Sequence, residues 1–319
     1  MQIRKGKRKF SRVETARTRV KEQYTMSEMF EKFMWSKQSE GLAPRTIEEY
    51  EIHFSWLLEF LGDLSREEMT VEAFKEYVLY MTNERGLKPT TVNIRVRTMR
   101  AFLRWCYKED LIDEPIHEKF KPMKTEVDAI ESFTPTEVKA IFNAFDTSTW
   151  VGFRDKVMVM VLLDSMVRIG ELLNMKRSLV DLKAGIIKLE AMNTKTRRAR
   201  EVPISNKTAK LLSQYMKESE DFGEETLFLT YDGRPLDSHT WRARLKEMGQ
   251  IAGIKHKRVS PHTFRHTGAL FYIMNGGDPF SLQKILGHTD MSMTRRYVQM
   301  SNVDVRKKHN SFSPLKNIL

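Results

Sequence analysis

A shortage of cysteine and of long apolar segments sets the first limits on this chain of 319 residues. Its one cysteine, Cys106, excludes an intramolecular disulfide framework and a cysteine-based zinc site. The longest strongly apolar run, residues 157–163, meets Asp164 and is far shorter than the roughly 20 apolar residues that span a bilayer. The charged N-terminus lacks the apolar segment of a signal peptide. We therefore expect a cytoplasmic protein with no membrane partner.

Positive charge is in excess along the chain. Lysine and arginine number 54 against 42 aspartate and glutamate residues, so the net charge is +12 and the pI is near 9.6. This surplus favours a polyanionic partner, of which nucleic acid is the natural example. The first 25 residues are especially basic and have few apolar side chains. They predict a solvated N-terminal extension that could become ordered on DNA phosphates.

Residues 26–110 have the pattern of a small all-α domain. Met29, Phe30 and Phe33 recur at helical spacing after Ser27, a plausible N-cap. Further amphipathic segments predict four or five short helices in all. The last of them, in the sequence TTVNIRVRTMRAFLRWCYKE, interleaves apolar residues with four arginines. These arginines, which face either DNA phosphates or only water, are Arg95, Arg97, Arg100 and Arg104.

A change of composition divides the chain in two. Residues 111–130 are mixed in charge, contain prolines and lack periodicity, so we interpret them as an interdomain linker. Residues 131–319 predict a mixed, mainly α domain with a C-terminal tail. A helix capped at Thr134 or Thr136 opens it, and a long helical stretch covers residues 152–175. The segments GIIKLEA and REVPI then predict a small antiparallel β-sheet, and helices follow as far as Tyr297.

The second domain contains polar residues suited to phosphate chemistry. Arg168 lies inside the predicted long helix, shortly after its apolar run. His262 and Arg265 lie one turn apart near a helix N-terminus capped by Ser260, where anions are favoured. His288 follows the predicted end of the next helix and precedes Tyr297 by nine residues. Each feature alone is weak, but their order and spacing together form a specific pattern.

This set of side chains could attack a phosphodiester. Arg168 and Arg265 could each form bidentate, charge-assisted hydrogen bonds to the non-bridging oxygens as charge develops on them. His262 could donate to the phosphate or assist removal of the phenolic proton, and His288 could donate a further hydrogen bond. Tyr297 would supply the nucleophile and would hold the cut strand as a phosphotyrosine.

The chain resembles the tyrosine recombinases, the family of phage integrases, Xer recombinases and Cre. The resemblance covers roughly residues 26–300 and rests on the segments SMVRIGELL, NTKTRRAR, PHTFRH and LGH, followed by the tyrosine. It implies a catalytic set of Arg168, Lys195, His262, Arg265, His288 and Tyr297, with Glu171 in a supporting role. One position departs from the family pattern, because Met166 stands where a glycine is usual.

The resemblance also suggests a role for the basic hairpin segment. Lys195 matches the family's hairpin lysine, which would protonate the departing 5′ oxygen as a general acid. It has basic neighbours, including Arg197 and Arg198, and could instead be one of several phosphate contacts. We interpret His266, beside Arg265, as a packing or capping residue and leave it outside the site.

A recombinase of this family would act in assemblies on DNA. The resemblance implies double-stranded DNA with inverted-repeat core sites and a homotetramer on two duplexes, exchanging strands through a Holliday junction. The free protein would be a monomer or dimer, and accessory DNA-bending or directionality proteins could take part. No cofactor, metal or ATP is expected, since a phosphotyrosine preserves the bond energy and no clustered carboxylates accompany the set. The tail could pack on its own domain or dock on a neighbouring subunit.

Several roles within this chemistry remain open. The basic N-terminal extension and the hairpin TKTRRAR favour a mobile-element integrase over an Xer-type resolvase of chromosome or plasmid dimers, whose hairpin usually reads GKGNKER. A type IB topoisomerase would share the chemistry without needing partner subunits. A DNA-binding protein that has lost catalysis is disfavoured by the complete reactive set.

Overall fold

Two separate hydrophobic cores form in this chain, one on each side of the division between residues 128 and 129. The computed structural model describes residues 24–125, 130–191 and 198–301, together with His309 and Ser313. Most of the N-terminal extension, residues 192–197 with Lys195 and Arg197, and nearly all of the C-terminal tail lie outside the described residues. No helix within the described ranges is long and apolar enough to cross a membrane.

The first unit is a helical bundle, as the sequence predicts. Its helices are α1 (Met26–Ser39), α2 (Pro44–Leu61), α3 (Val71–Leu79) and α4 (Pro89–Lys108), with a π-helical turn at Tyr80–Glu84 and a 3₁₀ turn at Ile116–Glu118. Thr25, rather than Ser27, caps α1: its hydroxyl accepts from the Glu28 amide at 3.3 Å. The Glu28 carboxylate accepts in return from the Thr25 amide at 2.9 Å, which completes a capping box.

The bundle core extends beyond the predicted domain end. Phe30 stacks on Phe54 with ring centroids 3.7 Å apart, and Phe102 meets Phe30 edge-on at 5.6 Å. The segment assigned to the linker also contributes, because Ile112 and Phe120 are buried in the same core. The first part of residues 111–130 therefore belongs to the helical unit, held there by burial of apolar side chains that carry no helical periodicity.

The second unit is mainly helical with one small sheet. Its helices are α5 (Pro135–Ala144), α6 (Trp150–Ser165), α7 (Ile169–Leu173), α8 (Asn206–Glu218), α9 (Ser238–Ile251), α10 (Pro261–Met274), α11 (Pro279–Leu286) and α12 (Ser292–Met300). Single 3₁₀ turns lie at Arg177–Leu179 and Glu220–Phe222. The strands are β1 (Val180–Asp181), β2 (Ile186–Leu189) and β3 (Arg200–Pro203). They pair antiparallel in the order β1-β2-β3, with Ile187 opposite both Val180 and Val202.

The predicted long helix over residues 152–175 is broken in the middle. Met166 ends α6 in the left-handed conformation, with φ 54° and ψ 30°, and the chain turns before α7 begins. The sequence suggested that Arg168 lies inside a helix. In the structure it is instead the N-cap of the short helix α7. Met166 is 3% exposed and packs in the core, and burial of its side chain offsets the cost of the left-handed backbone.

Helix α10 packs closely against the end of α6, beside Met166. A Cβ at Gly268 of α10 would lie 2.2 Å from the Leu163 carbonyl oxygen and 2.9 Å from Cγ of Met166. A glycine at this position therefore allows the two backbones to approach. The same contact shows that the Met166 side chain covers the Gly268 surface.

Two substitutions at Met166 separate backbone strain from packing. Met166→Ala keeps the strain and removes the buried side chain, which should cost about 2–4 kcal/mol of unfolding free energy. Met166→Gly loses the same packing but relieves the left-handed strain, so it should be about 1 kcal/mol more stable than the alanine variant. Urea denaturation of both variants checks this order. An alanine variant as stable as the glycine variant would show that φ at this residue is not strained.

Candidate active site

Glu171 pairs with Arg168 at the start of α7. Its carboxylate accepts from the Arg168 backbone amide at 2.8 Å and from Nη1 of the same residue at 3.1 Å. The Glu171 side chain is 1% exposed, whereas that of Arg168 is 21% exposed. Because the turn at Met166 starts a new helix here, the arginine is held by its own first turn and still reaches solvent. Glu171, for which a supporting role is predicted, thus contacts Arg168 directly.

Arg200 of β3 completes the pairing of this buried carboxylate. Its two terminal nitrogens donate to the two oxygens of Glu171 at 2.9 and 2.7 Å, and Nε donates to the Ile285 carbonyl at 3.0 Å. Burial alone would raise the pKa of Glu171, but the hydrogen bonds and charges of Arg200 and Arg168 outweigh it and hold the pKa below its usual value. Sequence analysis did not single out Arg200, which stands within a run of basic residues.

The turn after α11 packs against the guanidinium of Arg200. Gly287 caps α11 with φ +64°, and a Cβ there would lie 3.1 Å from the Arg200 guanidinium. The following residue, His288, donates its amide to the Gln283 carbonyl at 3.2 Å. The glycine of the LGH segment thus serves both the left-handed cap and the close approach of Arg200, and it places His288 at the site.

Arg265 is a buried guanidinium held by carbonyl oxygens. It is 5% exposed, and it donates to the carbonyls of Met166 at 2.5 Å and Leu286 at 2.9 Å. In the described part of the chain it forms no ion pair with a carboxylate. Burial lowers its pKa to about 9, and the nearby positive charge of Arg168 acts in the same direction. An anion bound beside it would relieve this electrostatic cost.

His288 contacts Arg265 directly. Its Nε2 lies 3.3 Å from Nη2 of Arg265. Because a guanidinium can only donate, Nε2 must accept in this contact, which assigns the ring proton to Nδ1. Burial lowers the pKa of His288 to about 4, and the charges of Arg265 and Arg168 contribute. The ring is therefore neutral at pH 7.

His262 stands at the open side of the site. Ser260 caps α10 and accepts from the Thr263 amide at 3.3 Å, so His262 occupies the first turn, as predicted. Its side chain is exposed, yet neighbouring atoms still reduce its hydration and lower its pKa, and Arg265 and Arg242 lower it further. The exposed ring beside a helix N-terminus can meet an incoming anion.

Tyr297 lies on α12 and is buried, with 1% of its surface exposed. Its hydroxyl oxygen is 2.6 Å from Nδ1 of His266 on α10. Burial raises the pKa of Tyr297, although the charges of Arg265 and Arg296 oppose this effect. Sequence analysis missed His266. The available signal was its spacing of four residues from His262, which puts both histidines on one face of α10.

The structure therefore brings together most of the predicted catalytic side chains. Five of the six predicted catalytic residues, all except Lys195, belong to one network of contacts and charges in the second unit. Lys195 and Arg197 lie outside the described residues, while Arg198 is described and exposed. In the described ranges no group of three or more histidine, cysteine, aspartate or glutamate side chains could hold a metal ion.

The four arginines predicted to contact DNA in the first unit differ in their surroundings. Arg97 and Arg104 are exposed on α4. Arg95 is half-buried, with its guanidinium 3.6 Å from the centroid of the Trp56 ring. Arg100 is also half-buried and donates from Nε to the His117 carbonyl at 2.7 Å. Arg97 and Arg104 are thus the two of the four whose side chains are free to meet a phosphate on the bundle surface.

The ion pair between Arg200 and Glu171 should be a large contributor to stability. Arg200→Ala leaves a buried carboxylate with one partner instead of two, so we expect a loss of about 3 kcal/mol of unfolding free energy. Arg45→Ala is the control, because Arg45 pairs with Glu49 on the surface and is 87% exposed in its side chain. That variant should change stability by less than about 0.5 kcal/mol. Equal losses in the two variants, measured by urea denaturation, would contradict the account.

Lowering the pH should weaken the ion pair between Arg200 and Glu171. The pKa of Glu171 is depressed in the folded state. The charged carboxylate therefore contributes stability that is present above the ordinary carboxyl pKa and is lost as the pH falls through the folded-state pKa. The wild type should therefore lose stability on acidification faster than Glu171→Gln does.

Comparison with known proteins places this geometry in a family. A sequence model of the phage integrase family matches residues 131–303, and one of the SAM-like N-terminal domain of phage integrases matches residues 29–113. Tyrosine recombinase XerC of Staphylococcus carnosus is 26% identical over 268 residues, which cover 81% of this chain and 88% of XerC. Tyrosine recombinase XerD of Xanthomonas axonopodis is 25% identical over 293 residues, covering 88% of this chain and 94% of XerD.

Solved structures agree on the fold. The integrase of the Tn1549 transposon, in complex with a circular intermediate DNA, superposes with a TM-score of 0.75 at 19% identity, over 90% of this chain and 98% of that one. A lambda integrase tetramer bound to a Holliday junction gives 0.72 at 18% identity, over 89% and 80%. With the family model covering more than half of the sequence, the chain belongs to the phage integrase family and is a site-specific tyrosine recombinase.

Proposed function

We propose that this recombinase cuts and rejoins duplex DNA through a 3′-phosphotyrosine on Tyr297. The proposal rests on the surroundings of Arg265. Its guanidinium is buried and donates to two carbonyls, and in the described part of the chain it forms no ion pair with a carboxylate. A scissile phosphate would supply the missing negative charge. Arg168, partly exposed beside it, would hold a second non-bridging oxygen. His262 would add a hydrogen bond to the same group, and His288 would donate one from Nε2 in its other tautomer, after giving up the contact in which Nε2 accepts from Arg265.

The reaction follows from these positions. The Tyr297 oxygen forms a bond to phosphorus and loses its proton, while the bond from phosphorus to the 5′ oxygen breaks. Lys195, on the hairpin between β2 and β3, would give that oxygen a proton. The phosphotyrosine keeps the energy of the phosphodiester, so the free 5′ hydroxyl of another strand can reverse the reaction without ATP. The arginines neutralise the developing charge, so no metal ion is required.

The wider role that we propose is that of an integrase. The basic N-terminal extension and the TKTRRAR hairpin support a mobile-element enzyme acting on inverted-repeat core sites. Four copies would hold two duplexes and exchange strands through a Holliday junction, as in the lambda integrase complex. Arg97 and Arg104 on α4, and Arg198 beside the hairpin, would contact DNA phosphates. Accessory DNA-bending proteins and a cytoplasmic location remain predictions.

A second candidate role is the resolution of chromosome or plasmid dimers. XerC and XerD recombinases are among the relatives that match over most of the chain, which favours this role. The two roles differ in the DNA site used. Covalent adducts trapped from a pool of nicked duplexes with a randomised centre would reveal the preferred core sequence. Its occurrence beside the gene that encodes this chain supports an integrase, and its occurrence once elsewhere in the chromosome supports a resolvase.

Tyr297→Phe tests the chemistry. The variant keeps the ring but lacks the attacking oxygen, so DNA binding should be unchanged and no covalent adduct should form, with or without EDTA. Tyr231→Phe is the control, because Tyr231 is 76% exposed and should leave adduct formation intact. Arg265→Ala should lower the cleavage rate by about 10²- to 10³-fold or more, on the scale of one preorganised oxyanion donor. An adduct of normal yield from the phenylalanine variant would place the nucleophile elsewhere.

A further inference from the structure

The hydroxyl of Tyr297 has a single hydrogen-bond partner among the described residues, and it is a histidine outside the predicted catalytic set. The hydroxyl oxygen and Nδ1 of His266 are 2.6 Å apart, and the ring centroids are 5.9 Å apart. Tyr297 is 1% exposed and His266 is half-buried, so solvent has little access to the hydroxyl. Any proton that leaves the phenol in this arrangement passes first to His266.

The polarity of this hydrogen bond follows from the protonation states. The pKa of Tyr297 is raised above its ordinary value by burial, so the phenol is neutral and can donate. The pKa of His266 is lowered to about 4 by burial and by the neighbouring His262, Arg265 and Arg296, so its ring is neutral and can accept. Nδ1 therefore accepts the phenolic proton in a hydrogen bond, and the ring proton is on Nε2. A neutral donor and a neutral base are thus already aligned.

The other candidates for removing this proton are engaged differently. His288 directs Nε2 to Arg265, whose two terminal nitrogens also hold the Met166 and Leu286 carbonyls. His262 lies a full turn away on α10, at its exposed N-terminal end. Sequence reasoning left open whether His262 binds phosphate or assists proton removal. Because His266 already contacts the Tyr297 hydroxyl, His262 is left with the role of binding the phosphate.

We propose that His266 is the proton acceptor for Tyr297 in strand cleavage, an inference that rests on the proposed function. As the phenolic oxygen bonds to phosphorus, its O–H bond breaks and the proton moves to Nδ1 of His266. The bond from phosphorus to the 5′ oxygen breaks, and that oxygen takes its proton from the general acid. In rejoining, the imidazolium of His266 returns the proton to the leaving phenolate.

This arrangement couples deprotonation to DNA binding. In the free protein, the positive charges of Arg265 and Arg296 oppose an imidazolium at His266. A phosphodiester bound to Arg265 brings a negative charge to the same place and offsets that repulsion. The proton therefore moves readily when the scissile phosphate is present, and the phenol stays protonated when it is absent.

His266→Asn is the direct test, because its amide oxygen can accept the hydrogen bond near the position of Nδ1 but cannot take a proton. On a nicked duplex that traps the covalent adduct, we expect single-turnover cleavage at pH 7 to fall about 10²- to 10³-fold with DNA affinity unchanged. The variant rate should rise with pH more steeply than that of the wild type, because hydroxide must then remove the proton. His266→Ala should regain part of its activity in buffer containing imidazole, in proportion to the imidazole concentration.

A second substrate separates this role from that of the general acid. A duplex with sulfur in place of the 5′ oxygen has a leaving group that needs no proton, so it should restore cleavage by Lys195→Ala but not by His266→Asn. His239→Asn is the control, since His239 is exposed and outside the site. Wild-type cleavage by His266→Asn, its rescue by the sulfur substrate, or an unchanged pH profile with lowered thermal stability would each overturn the role of His266. A Tyr297→Phe adduct on the same DNA would instead count against the proposed function.

Discussion

The buried carboxylate of Glu171 is the group around which the active site is built. A carboxylate that is 1% exposed is unstable without cationic partners, and it receives them from Arg168 on one side and Arg200 on the other. Each partner brings a different part of the chain. Arg168 belongs to the turn that follows α6, and Arg200 belongs to β3 and also binds the carbonyl of Ile285 in α11. Three separate segments are thereby fixed around one charge.

The charge balance of this arrangement has a functional consequence. Glu171 offsets part of the charge of Arg168 and Arg200, but Arg265 is buried beside them and bound to carbonyl oxygens. The site therefore carries a surplus of positive charge in a region with little access to water. Such a surplus is costly in the free protein, as the lowered pKa of Arg265 shows. It would become favourable when a phosphodiester binds, as we propose, so part of the binding energy of DNA would be directed at the reacting group.

The proposed nucleophile, Tyr297, is held by a separate set of contacts. Tyr297 comes from α12 and meets α10 through His266, while the arginines meet through α7, β3 and α10. Its hydroxyl is protonated and buried in the resting protein. The proposed phosphate-binding groups and the proposed nucleophile thus lie on neighbouring elements. Each set contacts a different residue of α10, Arg265 or His266, and these two residues are adjacent in sequence. Arg265 donates to the carbonyls of Met166, at the end of α6, and Leu286 of α11. His266 contacts the hydroxyl of Tyr297 on α12.

Local sequence features predicted the parts of this site that depend on local structure. Ser260 caps the helix that contains His262, as expected, because an N-cap is decided within one turn. Asp278 likewise caps the helix that ends before His288. Features set by tertiary contacts were not predictable in the same way. Nothing local distinguishes Arg200 from the other basic residues of its run, and a methionine as residue type does not signal the left-handed φ of Met166. The burial of Ile112 in the first core likewise depends on helices distant in sequence.

The most direct test of the central claim is to identify the atom that is joined to DNA. The covalent adduct can be trapped on a nicked duplex, digested with a protease and a nuclease, and sequenced by mass spectrometry. We expect a nucleotide attached through its 3′ phosphate to the peptide that contains Tyr297, with the modification on that tyrosine. A nucleotide on any other residue, or one attached through a 5′ phosphate, would contradict it.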